Sequence, residues 1–156
     1  MEWTEVIVVD RPLAEVQRAV ADENELMQWS AWPEATGYFC AVDGDGTSLG
    51  SSIVFTDKRG REKGRQRLAA VSADRVEYRL TNRGPGGREM KPEVDFRLVP
   101  IDPERTRVFL DFRATAPLPA GVRQLAELVL ARRVRKLHVE DLLLLKAHVE
   151  RSSSTL

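Results

Sequence analysis

Few residues in this chain have the type and spacing to do chemistry. His138 and His148 are its two histidines. Both fall on one predicted helix, ten residues apart, so they lie about 15 Å apart along the axis and well rotated from each other. They cannot share a metal ion, and no cysteine or carboxylate cluster supplies further ligands. Cys40 is the single cysteine. A nucleophilic Cys–His pair is open to it in principle, although a buried, inert thiol is the commoner fate. The "DGDGTS" stretch at 43–48 has the look of a calcium loop but lacks the required glycine and the bidentate glutamate at their positions. "GDGTSLG" has the wrong glycine spacing for a dinucleotide loop and leads into a strand.

Charge patterning excludes more than it offers. The 24 basic and 24 acidic residues balance, so no global field draws nucleic acid or an anionic membrane to the chain. "DKRGREKGRQR" places Arg59, Arg61, Lys63, Arg65 and Arg67 on one strand face. Without interleaved aromatics, that face reads as a solvated exterior rather than a nucleic-acid surface. No apolar run approaches the roughly 18 residues of a membrane span. The N-terminus does not resemble a signal peptide, and a lone cysteine suits a reducing compartment. These features predict a cytoplasmic protein with no nucleic-acid partner, no integral membrane association and no cofactor. A homodimer stays open, since a sheet edge or the wet side of a helix could pair.

The elements that must position any site follow from periodicity. Residues 2–10 are apolar and β-branched, which predicts a strand. Pro12 opens a short helix to about Asp22, with Leu13, Val16 and Val20 at helical spacing. Asn24 is placed to cap a second short helix that Pro33 stops. Alternation then predicts strands at about 36–43, 48–57, 62–73, 75–83, 89–101 and 105–116, joined by turn-forming residues as antiparallel hairpins. One long helix follows from about Ala120 to Glu150. Residues 1–150 read as one domain, and 151–156 as a frayed tail.

The strand alternation separates an apolar face from a charged one. Val94, Phe96 and Leu98, Val108, Leu110 and Phe112, and Val76, Tyr78 and Leu80 fall on the apolar side, with Ile53, Phe55, Gln66 and Leu68 from the middle strands. Such a face has to be covered, and the long helix is the available cover, with Val122, Leu125 and Val129 expected on its buried side. The inward strand positions offer no His, Lys, Arg or Glu. Their polar candidates are Ser51, Gln66, Tyr78 and Asn82. Acid–base chemistry needs an ionisable group of tuned pKa, so the enclosed space reads as a binder more than a reactor. Trp29 and Trp32, two of three tryptophans, fall where the second short helix ends, beside Pro33. They plug core or line a pocket, and the two roles overlap there.

The order of elements is similar to the helix-grip fold of the START-related, or SRPBCC, superfamily. The resemblance is strongest to its polyketide cyclase/dehydrase-like branch. "DRPLAEVQRAVADENELMQWSAWPEA", with its proline-started helix and Trp-x-x-Trp segment, carries it. So do "DGDGTSLGSSIVFTD", in which Gly50 enters the third strand, and "DRVEYRLTN" in the fifth. It implies an α+β fold: a curved seven-stranded antiparallel sheet wrapped around a long C-terminal helix, with two short helices after the first strand. It also implies a hydrophobic pocket for a lipid- or polyketide-like small molecule. The expected wall is Ile53, Phe55, Leu68, Tyr78, Leu80, Phe96, Leu110 and Phe112 from the sheet. Leu125 and Val129 come from the helix, and Trp29 and Trp32 from the end that the two short helices close. Gln66, Asn82 and Tyr78 orient the ligand, and glycines at 84–87 form a mobile rim. Two other readings stand beside it. One is a cyclase or dehydratase with Tyr78 as the donor to a developing enolate. The other is a ligand-free interaction module, hinted at by Phe109 on the charged face.

Overall fold

The computed structural model describes residues 1–83 and 87–153 of the chain. The glycine-rich rim expected at 84–87 therefore falls, apart from Gly87, outside the described residues, as does the tail from 154 onward. Strand β1 (Glu2–Val9) leads into helix α1 (Leu13–Ala21), whose Val16, Ala19 and Val20 are buried at helical spacing. Helix α2 (Glu23–Trp29) is capped by Asp22, whose side chain accepts from the Asn24 backbone N–H at 2.9 Å. The cap thus lies two residues before the expected Asn24. Asn24 has already entered the helix, and its amide donates to Asp45 O at 3.4 Å. Pro33 does not stop a helix. It opens a third, α3 (Trp32–Thr36), in whose first turn a missing N–H costs nothing. Gly37, at φ 70°, ends that helix in a left-handed conformation.

Strands β2 (Phe39–Asp43), β3 (Ser52–Thr56), β4 (Glu62–Val71) and β5 (Arg75–Arg83) follow as antiparallel neighbours. The segment expected as one strand at 89–101 is two. The short β6 (Glu89–Met90) pairs with β5, and β7 (Glu93–Asp102) starts after Pro92, which has no N–H to give to a ladder. With β8 (Arg105–Arg113) the order across the sheet is β1-β8-β7-β5-β4-β3-β2, and β6 stands off this path. One row of side chains crosses five strands in register: Trp3, Phe112, Val94, Tyr78 and Leu68. All five are buried, and they form the floor of the concave face. The opposite face carries ion pairs such as Arg75–Asp95, Arg97–Asp111 and Arg113–Glu93. Phe109, on that side, lies 4.5 Å beneath the Arg97 guanidinium, which covers it.

Helix α4 (Ala120–Ser153) spans 34 residues, about 50 Å, and crosses the concave face. Its two halves differ. Leu142, Leu145 and Val149 are sealed against the sheet and α1, whereas no residue of α4 before His138 is buried. Leu125 and Val129 are 69% and 74% exposed, contrary to the expectation that they face inward. The inward row is Leu130, Val134, His138 and Asp141 instead, at spacings of four, four and three. Val129 is rotated about 100° from Leu130, which carries it out of that row.

Candidate functional site

The raised half of α4 leaves a cavity of about 500 Å³ above the sheet. Its floor is Phe96, Leu110 and Phe112, with Leu80 and Phe55 toward the β3 side. Helix α4 supplies Leu130, Val134, His138 and Asp141 as the roof. Trp29 and Trp32 close one end, so the pair both plugs the sheet and borders the cavity. At the other end the cross-strand row Phe55, Gly64 and Asn82 frames the wall. Gly64 is required there, because a Cβ on it would stand 2.9 Å from Thr81 O and 3.0 Å from Asn82 Cβ. The amides of Gln66 and Asn82 reach the wall and make no hydrogen bond to other described side chains or backbone.

Five expected wall residues lie elsewhere. Ile53 and Leu68 are fully buried in the core beside the cavity. Tyr78 is also sealed off. Its hydroxyl donates to Val20 O at 2.6 Å, tying β5 to the end of α1. Burial, with Glu23 and Asp22 nearby, pushes its pKa far up, so the phenol is a structural strut and not a pocket donor. Leu125 and Val129 face outward, as above.

The expectation that no inward strand position is basic fails at Lys63. That residue is the extra one in a bulge of β4, where Phe55 opposes Gly64 and Thr56 opposes Glu62. The bulge reverses its parity and turns it to the cavity wall, where Arg83 also contributes. Lys63 pairs with Asp57 at 3.6 Å.

The titratable groups nearest the apolar floor come from the helix. His138 is buried among Phe112, Trp3 and Trp32, with ring centroids 4.9, 5.7 and 5.9 Å away. Its Nδ1 accepts from the Trp3 indole N–H at 3.0 Å. Burial lowers its pKa from 6.5 to about 4. Asp141, one turn on, is 6% exposed. One oxygen accepts from Ala31 N at 2.8 Å and Ser30 Oγ at 3.3 Å, and the other from Trp32 Nε1 at 2.9 Å. These donors favour the carboxylate, but burial outweighs them and raises the pKa from 3.8 to about 6. Asp141 thereby pins α3 to α4.

Asp141 does not stand out in sequence, and His138 reads there as one of two helical histidines too far apart to share a metal. The available signal was the inward row itself, since Leu130, Val134, His138 and Asp141 share one helical stripe. Among the described residues no three His, Cys, Asp or Glu side chains converge as a metal site, and no helix is long and apolar enough to cross a membrane.

Comparison with known proteins gives one family. Residues 2–150 match the model of a family described as polyketide cyclase / dehydrase and lipid transport. Among solved structures, the chain is similar to ZhuI, an aromatase/cyclase from a Streptomyces species. That match has 17% identity and a TM-score of 0.73, over 97% of this chain and 94% of that one. It is also similar to CV1439 from Chromobacterium violaceum, at 17% identity and a TM-score of 0.68 over 96% of each chain. A conserved protein from Geobacillus kaustophilus matches at 12% identity and 0.69 over 97% of each. At such identities the likeness is one of fold. No curated protein matches.

Proposed function

Because the chain belongs to the polyketide cyclase / dehydrase and lipid transport family, we propose that it binds a hydrophobic small molecule between the sheet and the raised half of α4. The cavity carries this reading. Its volume of about 500 Å³ lies within the usual range for ligand sites, and its wall is mostly apolar with a few separated polar groups. Phe55, Leu80, Phe96, Leu110 and Phe112 supply the apolar contact, while the amides of Gln66 and Asn82, unpaired among the described residues, meet the ligand's polar atoms. The proposal sets this binding in the cytoplasm, since the unpaired Cys40 fits a reducing compartment.

Native mass spectrometry of freshly purified protein tests the proposal. The expected result is an excess mass that solvent extraction identifies as an apolar compound. A Val134→Trp variant, which fills space under the helix, is expected to lose it. Bare protein that also gives no thermal shift with fatty acids, sterols, quinones or aromatic polyketides would sink the proposal.

A second reading, a cyclase or dehydratase, is favoured by one observation: Asp141, with a pKa near 6, borders the cavity beside His138. General acid–base catalysis works best with a group poised near the working pH. The reading expects a synthetic poly-β-ketone thioester to be converted to a cyclised, dehydrated product, and Asp141→Asn to slow that conversion by about 100-fold or more. A thioester that binds and is recovered unchanged counts against it.

A further inference from the structure

We infer that His138 holds its Nε2–H in the cavity as a fixed hydrogen-bond donor, so the ligand carries a neutral acceptor oxygen, such as a ketone or quinone carbonyl, against helix α4. The inference rests on the cavity being a hydrophobic-ligand site. It starts from Trp3. An indole N–H can only donate, and that of Trp3 lies 3.0 Å from Nδ1 of His138. Nδ1 must therefore be the unprotonated, accepting nitrogen. A neutral imidazole with a bare Nδ1 carries its proton on Nε2.

The surroundings keep the ring neutral and fixed. His138 is 3% exposed and boxed by Phe112, Trp3 and Trp32. Asp141, three residues on along α4, has its oxygens occupied by Ala31, Ser30 and Trp32. Burial has also moved the pKa of His138 below the range in which it would charge at neutral pH. No described residue accepts from Nε2, although the ring forms part of the cavity wall. Nε2 is not among the fully buried unpaired atoms, so it keeps access to the cavity, where a ligand oxygen can take the place of water and an apolar ligand that excludes water leaves the donor unpaired.

The chemistry is selective. A hydrocarbon leaves the N–H unpaired, and a ligand amine meets another donor. A carbonyl on an apolar ring system satisfies the N–H while its rings lie on Phe96, Leu110 and Phe112.

Two measurements test this. With two histidines in the chain, nitrogen-15 NMR of the wild-type imidazoles reads the tautomer directly. The expected result for His138 at neutral pH is a pyridine-type Nδ1 and a pyrrole-type Nε2. A protonated Nδ1, or an imidazolium, overturns the inference without any variant. Binding is then compared for 9-fluorenone and fluorene, which share a skeleton and differ by a carbonyl against a methylene. His138→Leu is expected to lower the fluorenone-to-fluorene affinity ratio by about three- to tenfold, the worth of one hydrogen bond. His138→Gln, whose amide N–H sits near the Nε2 position, is expected to restore much of it. Binding of both probes with a ratio unmoved by His138→Leu overturns the inference alone. Failure of both probes to bind the wild-type protein overturns the hydrophobic-ligand reading, and the inference with it.

Discussion

His138 and Asp141 should give the stability of this protein two opposing responses to pH, and removing either should expose the other. Asp141 has its pKa raised from 3.8 to about 6. Between those values the folded chain holds a proton that the unfolded chain has released, so this group adds stability as pH falls from about 6 to 3.8. At about 1.4 kcal/mol per pH unit between the two values, the gain is about 3 kcal/mol. His138 works the other way. Its pKa is lowered from 6.5 to about 4, so the unfolded chain takes up the proton first. Stability is then lost as pH falls through the same range, again by about 3 kcal/mol. In the wild-type protein the two nearly cancel.

Urea unfolding of wild type, His138→Gln and Asp141→Asn between pH 4 and 7.5 separates them. Relative to wild type, His138→Gln should gain about 3 kcal/mol on going from pH 7 to pH 4, and Asp141→Asn should lose about the same. Other carboxylates titrate alike in all three proteins and drop out of the differences. So do constant offsets, such as the amide hydrogen that Asp141→Asn would turn toward Trp32. Two flat difference curves, or two of the same sign, would refute the reasoning.

Three further outcomes are expected. Glu23 is fully buried, and neither carboxylate oxygen reaches hydrogen-bonding geometry, although Ser51 and the Ile53 N–H lie close enough to favour the charge. Burial raises its pKa, so Glu23→Met should stabilise the fold by about 1 kcal/mol or more at pH 8, an advantage that shrinks as pH falls into the ordinary carboxylate range; chemical denaturation at the two pH values reads it. Gly64→Ala should cost about 1–3 kcal/mol in the same assay, because the new methyl meets the Thr81 carbonyl, and it should weaken fluorenone binding by narrowing the wall. Tyr78→Phe should cost about 1–3 kcal/mol by orphaning Val20 O, yet leave fluorenone affinity unchanged; a lost affinity with intact stability would return Tyr78 to the site.

The fold was legible because its signals are local and periodic. The alternation that put Leu110 and Phe112 inward needs no tertiary information, and Pro12 marks a helix start wherever it occurs. The sheet side of the site came with it, since Phe55, Leu80, Phe96, Leu110 and Phe112 all border the cavity. Lys63 was lost because a bulge is an extra residue, and nothing in an alternating sequence announces which residue is extra. Tyr78 was misplaced for a different reason. Parity assigns a face but not a depth, and Tyr78 lies where the end of α1 covers that face. The helix was hardest. Leu, Val and Ala occur all round its first half, so no stripe dominates, and Leu125 or Val129 looked as good an inward residue as Leu130. Only the sheet's position selects among them.

That ambiguity and the cavity have one cause. A helix segment with a single strong apolar stripe would press it onto the sheet and fill the space beneath. In α4 the closely buried residues begin at His138, and before it apolar side chains such as Leu125, Leu128 and Val129 are left in solvent. The sheet below still presents Phe55, Leu80 and Phe112, so apolar surface faces apolar surface across about 500 Å³. Burial at roughly 25 cal/mol per Å² favours filling that gap with an apolar guest. The three indoles then set its polar terms. Trp29 donates to Ala19 O and locks α2 onto α1. Trp32 donates to Asp141, and Trp3 to His138. Two of the three tryptophan N–H groups thus fix the two titratable residues that α4 brings to the wall, which is why these aromatic residues bear on the chemistry of the ligand and not only on the packing of the core.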